Sequence, residues 1–224
     1  MRQIIGVAAL VFMFAGCAWT AGPQQATAPR FEPIKVASVS EAVYPFASPG
    51  FGTLVLRVTV DGSGKIENVT VIYGIPSLTE GAESAVREWK FKPATLDGKP
   101  MTTSMIAAFT YGTWPFGNAF GTVRPQEQED DHKAGFFAPI KVIANAPAPY
   151  PFASLASGTV ILQVMVDEAG AIKNINVLHG IPSLTEDAES AVRAWKFKPA
   201  VLDGKPVTTS MVASFAFRVP SWHR

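Results

Sequence analysis

Cysteine is almost absent from this chain of 224 residues, which contains Cys17 and no other. A single thiol cannot form an internal disulfide framework, so a hydrophobic core must hold any folded part together. Charge is also low: Asp, Glu, Lys and Arg make up 17% of the residues, and the formal net charge is +1. Because phosphate backbones are bound by a concentrated excess of Lys and Arg, this balance predicts no nucleic-acid partner.

Groups for catalysis or metal binding are scarce as well. The histidines are His132, His179 and His223, and no cluster of His, Cys, Asp and Glu has metal-ligand spacing. Asp61 and Asp167 could be taken for a catalytic pair, but each opens a predicted hairpin loop, where Asp hydrogen-bonds to nearby backbone. The sequence therefore predicts a protein that is not an enzyme and that needs no cofactor.

A long apolar run occurs only at the N-terminus. Met1-Arg2-Gln3 is followed by apolar and small residues up to Cys17, a pattern typical of an export signal. A membrane span needs about 20 apolar residues, and Ile4–Trp19 supplies only about 16. The segment resembles a bacterial lipoprotein signal, which would be cleaved before Cys17 and would place a lipid on that residue. An ordinary cleaved signal and an uncleaved anchor are the alternatives, and all three predict that the chain lies outside the cytoplasm.

Most of the remaining chain consists of two copies of one repeated sequence. The segment 31–111 aligns without a gap with 137–217, at a constant offset of 106 residues. Identity covers about 51 of the 81 aligned positions, far more than chance gives at a period of this size. The predicted division of the chain is a signal peptide (1–16), a flexible tether (17–30), a first domain (31–111), an acidic linker (112–136), a second domain (137–217) and a tail (218–224).

Each copy has the same predicted order of elements. Thr53–Asp61 alternates apolar and polar residues, a Gly-containing turn follows, and Lys65–Tyr73 forms the second strand of a hairpin. The period then becomes helical after Pro76, with Ser77 and Glu80 at the spacing of a capping box. A third strand covers Thr102–Tyr111. The predicted fold class is α+β: two tandem copies of a small antiparallel three-stranded sheet, each packed with one main helix.

The order and spacing of these pieces resemble one known family, the C-terminal domain of TonB-type energy transducers. The resemblance rests on Tyr44-Pro45, the alternating strand that ends in Asp61, and the helix that ends in Trp-x-Phe-x-Pro-Ala at Trp89–Ala94. All three features recur in the second copy. Members of this family lie in the periplasm of bacteria with two membranes. They bind short segments of outer-membrane receptors by adding them as a strand to a sheet edge.

By this resemblance, the third strand of each copy is the expected partner-binding edge. The residues concerned are Thr102, Thr103, Ser104 and Met105 in the first copy, and Thr208, Thr209, Ser210 and Met211 in the second. Ordinary strand residues facing water are the plainer interpretation of these side chains. The expected partners are segments of outer-membrane receptors or of other envelope proteins.

The leading hypothesis is a periplasmic, membrane-anchored TonB-like protein related to energy-dependent transport across the outer membrane, with an outer-membrane lipoprotein favoured over an inner-membrane anchor. Two alternatives stay open. One is a true energy transducer that keeps the N-terminal segment as an inner-membrane helix. The other is a non-catalytic envelope scaffold whose copies pack on each other and bind no receptor segment.

Overall fold

The computed structural model describes residues 30–42, 51–112, 137–152 and 154–219. The predicted signal, Cys17, almost all of the tether and nearly all of the linker lie outside these ranges. Among the helices in the described ranges, none combines the length and the apolar character needed to cross a membrane.

The two copies contain the same elements in the same order. The first has β1 (Phe31–Glu32), β2 (Lys35–Ser38), β3 (Gly52–Val60), β4 (Ile66–Tyr73), α1 (Pro76–Glu88), β5 (Lys90–Lys92), β6 (Ala94–Leu96), β7 (Lys99–Met101) and β8 (Thr103–Tyr111). The second has β9 (Phe137–Ala138), β10 (Lys141–Ala144), β11 (Gly158–Val166), β12 (Ile172–His179), α2 (Thr185–Arg193), β13 (Lys196–Lys198), β14 (Ala200–Leu202), β15 (Lys205–Val207) and β16 (Thr209–Phe217). Two repeated sheet-plus-helix units are therefore present, as predicted.

The helix N-terminus differs in detail from the prediction. Ser77 lies inside α1, and the cap residue Ile75 has no side chain bonded to the helix as a cap. Thr79 bonds to the backbone at the helix start instead. Its Oγ1 accepts a hydrogen bond from the Ile75 backbone N–H at 3.0 Å and donates one to the Ile75 carbonyl at 2.9 Å. The expected Ser-Glu capping box is wrong because this threonine, one turn further on, already satisfies the backbone at the helix start.

The Trp-x-Phe-x-Pro-Ala segment ends the helix and begins a strand. Trp89 donates from Nε1 to the Ser40 carbonyl at 2.9 Å, which ties the N-terminal segment of the copy to the end of α1. Phe91 is buried on β5, which pairs antiparallel with β2. Trp195 makes the equivalent bond to the Ala146 carbonyl at 2.8 Å in the second copy. The motif therefore holds the N-terminal segment of each copy against the segment that follows the helix.

The long strands of both copies form one sheet. Its six strands lie in the order β12-β11-β16-β8-β3-β4, and β8 and β16 pair in parallel at its centre. The expectation of two separate three-stranded sheets is wrong, because the third strand of each copy pairs with its counterpart in the other. Every other pairing in this sheet is antiparallel.

The parallel junction places the two helices on opposite faces of the sheet. Leu54 and Leu56 of β3 share a buried cluster with α1, whereas Val55 between them belongs to the cluster around α2. β11 shows the same alternation between the two clusters, because its Ile161 belongs to the cluster around α1. Successive strand residues point to opposite faces, so each half of the sheet is covered on its second face by the other copy. The copies share their cores.

Candidate functional site: the edges of the sheet

The predicted partner-binding strands are not edges. β8 pairs along its whole length with β3, from Thr103 opposite Val60 to Tyr111 opposite Gly52. On its other side, residues 107–111 pair with residues 212–216 of β16. β16 is flanked in the same way by β11 and β8. Both strands therefore lie inside the sheet order, but residues 103–106 of β8 and 209–211 of β16 fall outside their parallel pairing, so the partner-binding role expected of this stretch stays a prediction.

Most of the expected edge residues are buried or hydrogen-bonded within the protein. Thr103 and Thr209 are 4% and 5% exposed. Ser104 shares a hydrogen bond of 3.1 Å with Thr59, and Ser210 donates to the Ile34 carbonyl at 2.8 Å. Met105 and Met211 are buried in the two cores, whereas Thr102 is exposed and Thr208 half-buried just before the strands begin. Most of these side chains therefore pack in the core or form hydrogen bonds within the protein.

The free edges of the sheet are β4 and β12. Each pairs on one side only, with β3 and β11 respectively, and each has eight residues. An unpaired strand of this length presents a row of backbone N–H and C=O groups that another chain can bind. Three large apolar side chains are also exposed along these edges: Val71 (39%), Tyr73 (37%) and Val177 (45%). This combination makes the outer strands the candidate binding site.

Features along the two strands limit unspecific pairing. Each strand has register shifts against its inner neighbour at two places. Short polar bonds run along the surface, from Asn68 Nδ2 to Thr70 Oγ1 at 3.2 Å and from Asn174 Nδ2 to Asn176 Oδ1 at 3.1 Å. Shifts and polar side chains of this kind are common protections of an exposed edge. A partner must therefore match a bent, polar edge.

A tight hairpin positions the start of β4. The Asp61 carboxylate accepts three hydrogen bonds through Oδ1, from Ser63 N and Oγ at 2.8 and 2.7 Å and from Lys65 N at 2.9 Å. The bond from the Ser63 hydroxyl is the main cause of a pKa of Asp61 below its usual value, helped by the Lys65 backbone bond. Asp167 repeats the two backbone bonds, to Ala169 and Ala171, without a hydroxyl donor. These bonds fix the turn, which is the local structural role expected of both Asp residues.

The far ends of the edge strands differ between the copies. In β12, His179 Nε2 lies 3.0 Å from Glu41 Oε1 of the first copy. Tyr73 occupies the equivalent position in β4 and is 37% exposed. The C-terminal end of β12 is therefore in contact with the other copy, whereas that of β4 presents an aromatic ring to solvent.

The Tyr-Pro motif has a structural role in the second copy. Tyr150 is buried, and its hydroxyl donates toward the carbonyls of Ser154 and Ala156, both at 2.9 Å. The Ser154 hydroxyl in turn bonds to that of Ser183 at 2.9 Å, which joins this loop to the turn before α2. The corresponding Tyr44-Pro45 lies outside the described residues. The motif fixes the loop that leads into β11.

A comparison with family models identifies the family to which this chain is related. The model for the Gram-negative bacterial TonB protein C-terminal matches residues 50–113 and 153–219, together more than half of the chain. The chain belongs to this family. The resemblance noted from the sequence is confirmed, and each copy is a TonB C-terminal unit. A search of curated proteins finds no match.

Family membership indicates a TonB-like protein of the Gram-negative cell envelope, related to energy-coupled transport. Domains of the TonB family typically interact with outer-membrane receptors. Neither copy here has the shape of an isolated unit, because β8 and β16 are paired with each other. In the ranges that the structure describes, no group of three or more His, Cys, Asp or Glu could hold a metal ion.

Proposed function

We propose that this TonB-like protein is a non-catalytic, membrane-anchored periplasmic module that captures extended segments of envelope proteins. Capture occurs by strand addition at β4 and β12. The observation that supports this site is the order of the six-stranded sheet, in which these two strands are outermost. Main-chain hydrogen bonds to the edge supply affinity, and the exposed side chains along it supply selectivity.

Amide hydrogen exchange of the full chain tests strand addition directly. The probe is a soluble eight-residue peptide of alternating Thr and Val. We expect the peptide to slow exchange at amides of β4 and β12 whose N–H groups face outward, and to leave β8 and β16 unchanged. Outward amides of a free edge exchange readily, and a captured strand protects them with new hydrogen bonds.

Val71→Lys with Val177→Lys is the variant for this experiment, since it adds charge to both edges at exposed positions. The control is Lys99→Ala with Lys205→Ala, at exposed positions outside β4 and β12. Protection should fall in the first variant and persist in the control. Protection confined to β8 and β16, or none with any extended peptide, would show that capture at the outer edges is wrong.

Membrane anchoring through Cys17 is the second part of the proposal. The support is the sequence pattern before this residue, which resembles a lipoprotein signal. Fatty-acid labelling and membrane fractionation of the wild type and Cys17→Ser test it. We expect the wild type to be labelled and the variant to lose both label and membrane association. An unlabelled protein retained in the inner membrane would support a transducer with an uncleaved anchor.

An envelope scaffold is the second candidate function, and one observation favours it. The strand that family members are expected to offer to receptors pairs here, over residues 107–111 and 212–216, with its counterpart in the other copy. A scaffold would use the fused sheet as a rigid body and would show no protection by any extended peptide. The exchange experiment therefore separates the two candidates.

A further inference from the structure

The two free edges differ in the side chains that they expose. Only Ile66, Asn68 and Val71 of β4 recur unchanged in β12, although the copies as wholes agree at most positions. The changes at less exposed positions are conservative, such as Val69 to Ile175. The changes at exposed positions alter the chemistry, as the contrast between Glu67 and Lys173 shows.

Glu67 and Lys173 occupy the same place in the two edges. Both are exposed, and both are the extra residue at a register shift. Glu67 lies between Ile66 and Asn68, which pair with Val60 and Thr59, and Lys173 lies between Ile172 and Asn174, which pair with Val166 and Met165. A residue added opposite this position would meet a carboxylate on β4 and an ammonium group on β12. Directly opposed charges of unlike sign stabilise cross-strand pairs, and like charges destabilise them.

We propose that the two edges select segments of opposite charge: β4 takes an extended segment that carries Lys or Arg opposite Glu67, and β12 takes one that carries Asp or Glu opposite Lys173. This inference rests on the strand capture proposed above. It assigns each edge its own class of partner, so that the duplicated unit binds two different segments.

Other charges near Glu67 and Lys173 do not cancel the difference in charge between the two edges. Lys65 lies at the turn, where its charge adds a small part to the lowered pKa of Asp61 that the Ser63 hydroxyl mainly causes. In the second copy Ala171 replaces Lys65, and Asp167 and Glu168 lie in the turn. Charges beyond about 8 Å are largely screened at physiological salt, so the directly opposed pair has the greatest influence on the partner.

Two peptides and a charge exchange test the proposal on the full chain. Both peptides have eight residues of alternating Thr and Val, one with Lys and the other with Glu at positions 2 and 7, so that either strand direction presents the charge. NMR titration gives separate dissociation constants from the amides of β4 and of β12. The variants are Glu67→Lys, Lys173→Glu and the double exchange.

In the wild type we expect the Lys peptide to bind β4 about two- to fivefold more tightly than the Glu peptide does, and the reverse preference at β12. Each single exchange should reverse the preference of its own edge only, and the double exchange should reverse both. Equal binding of both peptides in every variant would overturn charge selection and leave strand capture standing. Absence of binding at both edges would overturn strand capture as well.

Discussion

One glycine in each hairpin turn is required both by the backbone conformation and by close packing. Gly64 has φ +85°, and a Cβ at this position would lie 2.5 Å from the Phe91 carbonyl oxygen. Gly170 repeats the arrangement, with 2.6 Å to the Phe197 carbonyl oxygen. Turn conformation and close packing on the segment after the helix therefore both require glycine. The sequence predicts the first requirement from the turn pattern, but not the second, which depends on a contact between distant segments.

Gly64→Ala should destabilise the protein more than Gly98→Ala. Gly98 also has positive φ, +78°, but no atom lies within 4 Å of its added Cβ. The backbone conformation alone costs about 1–2 kcal/mol in each variant, and the contact with the Phe91 carbonyl adds about 1–3 kcal/mol for Gly64. Urea unfolding measures the difference in the free energy of unfolding. Equal losses in the two variants would contradict the packing argument.

Ser63→Ala should raise the pKa of Asp61 toward its usual value. The Ser63 hydroxyl is the largest cause of the lowered pKa, and Ser63→Thr should retain it as a control. Because the folded-state pKa is lowered, Asp61 stabilises the fold above its unfolded pKa, and this stabilisation is lost as pH falls through the folded pKa, below about pH 4. NMR titration of the Asp61 carboxyl carbon checks the shift. An unchanged pKa in Ser63→Ala would contradict the assignment.

At the scale of elements, the three long strands and the helix of each copy were predictable, but the neighbours of the third strand were not. Alternation in Leu54, Leu56 and Val58 predicts a half-buried strand and identifies β3. In β8, by contrast, Ala107 and Ala108 are both buried, and the strand has an almost continuous buried run. Such a run is typical of a strand covered on both faces. The signal for an interior strand was present, but the partner strand lies 106 residues away and no local pattern specifies it.

Ala108→Pro should severely destabilise the protein, whereas Thr102→Pro should have a small effect. Ala108 pairs with Val55 of β3 on one side and with Ala213 of β16 on the other, while Thr102 is exposed and precedes the strand. Proline removes a backbone donor and is excluded from the middle of an interior strand, and the lost hydrogen bond and the overpacked ring together cost about 2–6 kcal/mol. Thermal unfolding of both variants checks this. An Ala108→Pro variant as stable as Thr102→Pro would contradict the pairing of β8 on both sides.

At the scale of the whole molecule, the described residues of the two copies share one six-stranded sheet and two mixed cores. Asn145 of the second copy donates to Thr53 of the first at 2.7 Å, and the Phe31 and Phe137 rings stack with centroids 5.7 Å apart. Sequence reasoning placed the copies as separate domains because each has a complete set of elements. It could not show that each half of the sheet depends on the other copy for its second covered face.

Removal of residues 137–224 should therefore leave an unstable or associating first copy. Excision uncovers one side of β8 and exposes Val55, Ile106 and Ala108, which are buried against the second copy. We expect the full chain to unfold in a single transition by calorimetry, and the excised copy to form dimers or aggregates by light scattering. A stable monomeric fragment, or two separate transitions in the full chain, would contradict the shared core.

The six-stranded sheet also sets the direction in which captured segments would point. Neighbouring strands are rotated by roughly 20–25° in ordinary sheets, so the two outermost strands of six differ in direction by about 100–125°. β4 and β12 run the same way in the pairing scheme, so a twist of this size would leave them pointing in widely different directions. Two segments bound at once would then be inclined to each other, not parallel. A rigid partner with two parallel tails could engage only one edge, and the other edge would remain free for a second protein.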